Sequence, residues 1–541
     1  MSKGSWSDRL RKYDAGMAIT LAFFVVSVAT LPDYGQTWDE AETSDAAFLD
    51  LRMVRAFVTG QAKPSWEGHE LPGYYFVLDS LRGGFAWVAR RLHVLDDVLS
   101  IHFVQILLAT LSVLLFYRLA ENLSGGRRIA VLSTMVLVLF PQFLAHSQNN
   151  PKDLPGLFVF VLAIYTFTRL GRPEGEGGRL RDVLYAGLAL GLALTTHVSA
   201  VFLVPVLGIW QLATRRVVRW RSQLLVLGVA GTTAFLTWPW LWSAPGKNLV
   251  WAARHIAARL HNDYIRVLYL GRIYNAWEVP WHYSLVLLLA TTPVLYLVFA
   301  LFGVSPFRSR ADRTAAGGRS AVILGCLWCA ILIAAETRAP MRYDGVRHLL
   351  MIVPGFCLVA GVGLDRILRW IEETSMVARS GTLRRIAAPA CAGLMFASVG
   401  VELIRMHPYH NAYLNEAANA WLPGNAEDVF EVEYWQQSYK EGAEWLNAHA
   451  EPDAGIFVAF DDRCADHYLR RKATELDSTN LPLFEDRMRV AYLMVMTRKA
   501  MYKDAVAHVV RAYEPVFTIR RQKGTLLRLY SNRRPRIDSG S

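Results

Sequence analysis

The sequence predicts an α-helical protein that crosses a membrane many times and ends in a small soluble α/β domain. Only 19% of its 541 residues are charged and 53% are apolar, whereas soluble globular chains carry about 25% charged residues. The apolar residues form long runs without ionised side chains, and basic residues cluster between these runs. Such runs exclude a disordered or collagen-like chain. Most of the five cysteines lie in or beside apolar runs, which also excludes a disulfide framework.

Eleven segments are apolar and long enough to cross the membrane, because a hydrocarbon core of about 30 Å takes roughly 20 helical residues. They are 15–32, 99–118, 129–145, 154–170, 183–196, 198–214, 222–241, 283–303, 320–336, 349–365 and 386–404. The first segment follows a basic start without a small-residue cleavage pattern, so we expect a retained span and not a signal peptide. Segments 183–196 and 198–214 are short. They either cross separately or form one hairpin that does not fully cross.

Lysine and arginine mark one side of the membrane. The formal net charge is +12, and with the N-terminus inside, the basic clusters all fall on the cytoplasmic side, as the positive-inside rule requires. The clusters are Arg9, Arg11 and Lys12; Arg127 and Arg128; Arg179 and Arg181; Arg215, Arg216, Arg219 and Arg221; Arg308, Arg310 and Arg313; and Arg366, Arg369, Arg384 and Arg385. A nucleic-acid surface needs one contiguous basic face, so no nucleic-acid partner is expected. We predict a multi-pass protein of the cytoplasmic (inner) membrane.

The chain divides into a transmembrane module, residues 1–405, and a periplasmic or exoplasmic α/β domain, residues 406–541. The outer loops of the module are 33–98, 146–153, 242–282 and 337–348. In the first loop, Tyr74–Val94 has the amphipathic pattern of a helix that lies in the membrane interface. The tail alternates helix-like stretches (Ser438–Ala450, Ala505–Tyr513) with strand-like ones (Gly455–Phe460, Val490–Met496, Val516–Arg521, Thr525–Tyr530).

Carboxylates stand at the outer ends of two predicted spans. Asp39 and Glu40 follow the first span, and Asp153 follows the third and opens the fourth. Charged groups at a membrane boundary are costly unless they serve a site. The alternative for Asp153 is a carboxylate stabilised by the helix dipole, and for the Asp39-Glu40 pair it is a solvated loop start. Their shared placement at span ends on one side favours a functional site.

This arrangement resembles the GT-C glycosyltransferases, in particular the family 39 branch of protein O-mannosyltransferases and the aminoarabinose transferase. In that branch an Asp-Glu pair follows the first span and a second acid lies in the loop after the third; Asp39-Glu40 and Asp153 match both. A looser match is the element from His69 to Tyr75, which has one proline where the family usually has two. Pro280–Tyr283, Arg342-Tyr343 and Arg347–Leu350 extend the resemblance, which covers roughly residues 15–405.

The resemblance implies a GT-C-like fold and an inverting glycosyltransferase, a hexosyl or pentosyl transferase. It would move a sugar from a polyprenyl-phosphate donor to a glycan, lipid or protein hydroxyl on the outer face. A hydroxyl is a poor nucleophile and needs a general base, for which Asp39 is the candidate. Glu40 would orient Asp39 or the acceptor, and Asp153 would be an essential second carboxylate.

Cations are expected around the donor phosphate, because departure of the phosphate develops negative charge. Arg342, Arg347 and His348 lie on the required side, and a guanidinium binds phosphate well. The alternative for these three is snorkelling at the interface. Lys152 would either pair with Asp153 or contact the phosphate.

The loop residues His69, Glu70 and Tyr74 are candidates for the acceptor side. Asp39, Asp153 and His69 could also supply ligands for a divalent cation such as Mg²⁺ or Mn²⁺. The sequence has no spaced ligand motif, however, and ordinary loop residues fit these positions as well.

Two other classes of protein remain as alternatives: a lipid or solute transporter (flippase), and a membrane scaffold that presents the tail. Transporters often have internal repeats and ionisable groups near the membrane midplane, whereas the acids here lie at span ends and no repeat is visible. The segment His407–Glu416 either lines the acceptor entrance or anchors the tail to headgroups. His197 and Trp238–Trp240 fit packing better than a lipid site.

Overall fold

The computed structural model describes residues 15–61, 74–170, 179–216, 218–258, 265–306, 318–374, 377 and 380–536. All eleven predicted spans are helical in it. The helices of these spans are α1 (Ala15–Ala29), α4 (Asp97–Ser124), α5 (Arg127–Val138), α6 (Pro141–Asn149), α7 (Asp153–Thr168), α8 (Leu180–Leu194), α9 (Leu203–Thr214), α10 (Trp220–Thr237), α12 (Tyr283–Thr291), α13 (Val294–Val304), α14 (Arg319–Glu336), α15 (Val353–Glu373) and α16 (Gly381–Met406). A 3₁₀ turn, Arg347–Ile352, leads into α15. The predicted helical membrane module is confirmed.

Within the described residues, four helices are long and apolar enough to cross a membrane alone, and the count rises to six if two bent pairs are single spans. The four are α4, α14, the 27-residue run Arg347–Glu373, and α16. The pairs α5–α6 and α12–α13 bend by 64° and 108°. Pro141 and Pro293 stand at the bends, because proline has no N–H to continue a helix. Fewer helices than the eleven predicted segments are therefore full-length spans; Ala15–Ala29, Asp153–Thr168 and Val198–Thr214 are shorter apolar helices.

Helices and a hairpin form in the predicted outer loops between the span helices. Helix α3 (Phe76–Arg91) confirms the predicted amphipathic helix: Leu81 and Trp87 are exposed, whereas Leu78 and Arg82 are buried. The other outer elements are α2 (Trp38–Thr59), α11 (Pro245–Ala258) and the antiparallel hairpin of β1 (Arg266–Tyr269) and β2 (Arg272–Asn275).

The tail folds around a five-stranded mixed sheet, which confirms the predicted α/β character. Its strands are β3 (Gly455–Val458), β4 (Thr474–Glu475), β5 (Ala491–Met496), β6 (Tyr513–Arg521) and β7 (Gly524–Pro535), in the order β4-β3-β5-β7-β6. The helices of the tail are α17 (Glu416–Trp421), α18 (Tyr439–His449), α19 (Arg463–Asp466) and α20 (Asp504–Ala512). The sequence missed the two-residue strand β4.

Successive side chains of β5 point to opposite faces of the sheet, and each face packs in a different apolar cluster. Met494 packs in the apolar cluster that also contains Tyr439 of α18, while Leu493 packs with Val506 of α20 on the other face. The first cluster extends to Val267 of β1 and to Val346 in the loop before α15. The sheet therefore shares a hydrophobic core with the outer loops of the membrane module.

Close helix packing in the membrane module requires glycine at a few positions. Helix α15 approaches α13 so closely that a Cβ at Gly363 would overlap the backbone carbonyl of Phe299. Backbone atoms cannot move aside as a flexible side chain can. Gly393 on α16 has no atom within 4 Å of the same Cβ position.

We therefore expect Gly363→Ala to destabilise the protein by about 1–3 kcal/mol through overpacking, and to lower Tm in detergent. The matched control, Gly393→Ala, should leave Tm unchanged or raise it, because alanine favours helix by up to about 1 kcal/mol over glycine. Equal Tm values for the two variants would contradict the packing argument.

Candidate active site

Asp39 lies in the first turn of α2, directly after the first predicted span. Thr37 and Glu40 form a capping box, in which a Glu40 oxygen accepts a hydrogen bond from the Thr37 backbone N–H at 2.8 Å. Such a box satisfies the free amides at a helix start. The other Glu40 oxygen lies 2.9 Å from Nε2 of His102 on α4, and both side chains are buried. Glu40 thus ties the start of α2 to α4, a geometry that suits the expected orienting role.

Two cations hold the Asp39 carboxylate. Lys152 Nζ lies 3.0 Å from Oδ1, and Arg347 pairs with Oδ2. The Asp39 side chain is only 6% exposed. Burial raises its pKa, but Lys152 and Arg347 outweigh burial and hold the pKa below its ordinary value. Lys152 Nζ also pairs with Glu42 at 2.9 Å, so the ammonium group joins two carboxylates of α2.

An asparagine and a histidine side chain hold the Asp153 carboxylate at the start of α7. Asn150 Nδ2 donates to Asp153 Oδ2 at 2.9 Å, and His197 Nε2 lies 3.2 Å from Oδ1. The Ser199 N–H donates to His197 Nδ1, which places the imidazole proton on Nε2, facing the carboxylate. The packing interpretation of His197 is therefore incomplete. The structure brings the Asp39 and Asp153 loops together, because Lys152 bridges them.

A chain of alternating charges continues beyond Arg347. Asp344 Oδ2 lies 3.0 Å from Arg347, and its Oδ1 lies 2.6 Å from Arg498. Arg498 follows strand β5 of the tail. Sequence reasoning missed both residues. Asp344 precedes a glycine in the loop that also contains the predicted residues Arg342 and Arg347. The sequence signal for Arg498 is only a charged residue shortly after an apolar strand.

Trp435 lies between Arg347 and His146. The Arg347 guanidinium is 5.3 Å from the Trp435 ring centroid, and the His146 ring is 5.0 Å from it, edge to face. Among the described residues, Trp435 Nε1, Arg347 Nε and His146 Nε2 are buried without a hydrogen-bond partner. Asn150 donates to His146 Nδ1, so His146 Nε2 carries the proton. The site thus presents three buried N–H groups that can donate to a ligand.

Glu433 holds the segment that carries Trp435. Its Oε1 accepts the Trp435 backbone N–H at 2.8 Å. Burial raises the pKa of Glu433 to about 7, against the opposing effect of the backbone amides around it. The carboxyl group is therefore sensitive to pH near neutrality.

Some predicted residues lie apart from this cluster. The Arg342 guanidinium donates to the backbone carbonyls of Val279, Thr337 and Ala339, so it braces a loop. Tyr74 donates to the Leu194 carbonyl at 2.8 Å and packs against Trp238.

His348 stacks edge-on against Tyr343 and lies 3.8 Å from Glu336. His69 and Glu70 lie outside the described residues. In the part of the chain that is described, no group of three or more His, Cys, Asp or Glu side chains could hold a metal ion.

An apolar groove of about 730 Å³ lies between α1, the α5–α6 pair and α16. Its walls include Phe23, Val138 and Leu403, and one end is polar, with Tyr34 and Gln148. Gln148 Oε1 is buried there without a partner among the described residues. His407 and His410 also line this end, so the segment after α16 borders the groove.

Residues 84–242 match the family described as dolichyl-phosphate-mannose-protein mannosyltransferase. No curated protein sequence matches the chain. The structure is similar to apo ArnT from Cupriavidus metallidurans, with 14% sequence identity, a TM-score of 0.49 and coverage of 96% of this chain and 97% of that chain. It is also similar to ArnT from the same organism bound to undecaprenyl phosphate, with 15% identity, a TM-score of 0.48 and coverage of 97% of this chain and 98% of that chain. A third similar structure is the oligosaccharyltransferase AglB from Archaeoglobus fulgidus in complex with an inhibitory peptide and a dolichol-phosphate. Its sequence identity is 11%, its TM-score is 0.46, and the match covers 98% of this chain and 75% of that chain.

The raised pKa of Glu433 predicts a pH-dependent stability. The folded protein binds the Glu433 proton more tightly than the unfolded chain does, because the folded-state pKa lies above the ordinary 4.5. The contribution of the protonated group to the free energy of unfolding is therefore complete below about pH 4.5 and is lost as the pH rises through about 7. Glu433→Gln should therefore flatten part of the fall in Tm between pH 5 and 8, by roughly 2–4 °C. Exposed Glu444→Gln is the control. A wild-type pH slope in Glu433→Gln would refute the prediction.

Proposed function

We propose that this chain, a glycosyltransferase of the GT-C type, transfers a sugar from a polyprenyl-phosphate donor to an acceptor hydroxyl at the outer face of the cytoplasmic membrane. One observation carries the proposal: Asp39 is a buried carboxylate at the end of the first predicted span, held between Lys152 and Arg347. Such a site supplies both needs of the reaction, a proton acceptor and cations for a phosphate.

Donor binding would activate the base. In the protein alone, Lys152 and Arg347 occupy both oxygens of Asp39 and lower its pKa, which makes it a weak base. A donor phosphate would draw both cations toward its own oxygens, because guanidinium and ammonium groups bind phosphate strongly. The pKa of Asp39 would then rise, and one of its oxygens would be free to accept a proton. The base is thus strong only when the donor is present.

The transfer is a single displacement. The acceptor oxygen attacks the anomeric carbon opposite the phosphate, its proton passes to Asp39, and the bond between carbon and phosphate oxygen breaks. The electron pair leaves with the polyprenyl phosphate, so the anomeric configuration inverts. Arg347 and Lys152, with the N–H groups of Trp435 and His146, would stabilise the charge on the leaving phosphate.

Asp153 acts by positioning. Its carboxylate fixes Asn150 and His197, and Asn150 in turn orients His146. The same loop carries Lys152, and Arg82 braces it through the Pro151 carbonyl at 2.6 Å. Loss of Asp153 would displace two of the groups that contact the donor.

The apolar groove would hold the polyprenyl chain of the donor. Its walls belong to membrane helices, and its polar end is formed by Gln148, the neighbour of Asn149, whose carbonyl accepts from Thr37 at 3.2 Å. A chain in the groove would therefore end near the start of α2. Burial of its methylenes supplies about 0.8 kcal/mol each.

The acceptor would approach from the outer loops that contain His69, Glu70 and Tyr74. We assign Arg342 a structural role instead of the phosphate contact suggested by its position in the sequence, since backbone carbonyls hold its guanidinium. His348 remains a candidate for the donor side, next to Arg347.

Asp39→Asn should reduce kcat for transfer by about 10²–10⁴-fold, the usual contribution of a general base. The variant should bind undecaprenyl phosphate at least as tightly as wild type, because the competing carboxylate is lost. Transfer can be measured with a panel of synthetic polyprenyl-phosphate sugars and acceptors, and the anomeric configuration of the product by NMR.

Asp33→Asn, which removes an outer carboxylate that pairs with His407 instead, is the matched control and should keep near-normal kcat. Normal turnover of Asp39→Asn, or retention of the anomeric configuration, would end the assignment.

Filling the groove should weaken donor binding. A Cβ at Gly400 meets no atom within 4 Å and the residue lines the groove, so Gly400→Trp should raise the KM for the donor about tenfold or more without unfolding the protein. Gly393→Trp, on the same helix and equally free of contacts, should leave it unchanged. An effect on the acceptor KM alone would assign the groove to the acceptor.

A further inference from the structure

We propose that Arg498, on the C-terminal sheet, is a positioning residue that controls how tightly Arg347 grips Asp39, acting through Asp344. The inference rests on the proposed role of Asp39, and it makes the C-terminal sheet a working part of the active site and not only a scaffold or an acceptor-binding module.

Arg498 is buried and held by hydrogen bonds from its guanidinium. It is 1% exposed, and its guanidinium donates to Asp344 Oδ1 at 2.6 Å and to the Tyr434 carbonyl at 3.2 Å. The preceding residue, Thr497, donates its backbone N–H to the Leu526 carbonyl on β7 at 2.9 Å. The register of the sheet therefore sets where the Arg498 charge lies.

Asp344 shares its charge between two arginines. One oxygen faces Arg498 and the other faces Arg347. Its φ is +53°, and that of Gly345 is +64°. A non-glycine residue in this left-handed region is strained and persists where the surroundings demand it. Two consecutive left-handed residues aim the carboxylate between the arginines.

Arg347 is shared in the same way. Its NH1 group pairs with Asp39 and its NH2 group with Asp344, so the two carboxylates compete for one guanidinium. The charge on Asp344 decides how strongly it competes, and Arg498 neutralises part of that charge. A second link is direct: the Arg498 guanidinium lies 5.0 Å from the ring of Trp38, the neighbour of Asp39.

Other charged and titratable groups surround Asp39, Arg347 and Arg498. Lys152, Arg347 and Asp153 act on Asp39; Asp39, Asp153, Asp344 and Tyr343 act on Arg347; and Asp344, Glu431 and Tyr283 act on Arg498. Glu431 lies 3.4 Å from Arg498, and burial raises its pKa to about 7. Asp39, with its lowered pKa, titrates at lower pH than Glu431, and a parallel background with Glu431→Gln keeps this second titration out of the measurement.

Removing the Arg498 charge should change the pKa of Asp39 in one direction. Asp344 would then rely on Arg347 and draw it away from Asp39, so the pKa of Asp39 would rise. Removing the Asp344 charge has the opposite effect, because Arg347 would then serve Asp39 alone. Removing both charges should cancel the first effect, since the competitor is lost together with its partner. A purely structural role for Arg498 predicts no such rescue.

The test is the titration of Asp39 by infrared difference spectroscopy of the full-length protein, which needs no substrate. The C=O band of protonated Asp39 is the band that Asp39→Asn abolishes. We expect Arg498→Gln to raise its midpoint by about one pH unit, which is tenfold in the proton equilibrium. Asp344→Asn should lower the midpoint, and the double variant should return it to wild type or below.

Arg498→Lys, which keeps the charge, should shift the midpoint less and serves if the Gln variant does not fold. Arg528→Gln, which breaks a different ion pair of the same sheet, with Glu427 at 2.9 Å, should leave it unchanged. An unshifted midpoint in Arg498→Gln, or a double variant without rescue, would overturn the relay. A shifted midpoint together with full activity of Asp39→Asn would keep the relay and refute Asp39 as the base.

Discussion

The burial of the ionised Asp39 carboxylate in the first turn of α2 is the constraint on which the rest of this site depends. An unpaired buried charge costs several kcal/mol, and Asp39 is almost fully buried. The structure meets this cost with two cations, and one of these, Arg347, is balanced in turn by Asp344 and Arg498. Asp39, Lys152 and Arg498 come from three separate parts of the chain, and Asp344 and Arg347 come from a fourth, so the charge balance ties separate loops into one site.

The C-terminal sheet completes this arrangement. Trp435 packs against Arg347 and Arg498 ends the charge chain, and both residues follow the last predicted span. The groups of this charge chain are buried, and the sheet shares an apolar core with the outer hairpin. Electrostatic interactions are stronger in such surroundings, which suits the proposed roles of these residues in phosphate binding and in tuning the base. The tail is therefore best understood together with the membrane module.

Much of the fold and part of the site could be predicted from local patterns. Long apolar runs predicted the helices of the membrane module that the structure describes, and strand-like runs predicted four strands of the tail. Breaks such as the one before Pro293 leave fewer full-length spans than the eleven predicted segments. Asp39, Lys152 and Arg347 were found because each stands in an outer loop at the end of an apolar run. Arg342 has the same local signal and yet lies against backbone carbonyls, since the path of its loop cannot be inferred from spacing.

The sequence by itself determined that the chain is a helical membrane protein with acids and cations gathered on one side, because hydrophobic period and charge placement are local properties. The tertiary structure alone decided which of those charges meet. Arg498 is separated from Asp344 by 154 positions, and no periodicity or motif relates them. Only the packing of the sheet against the outer loops brings the two side chains together.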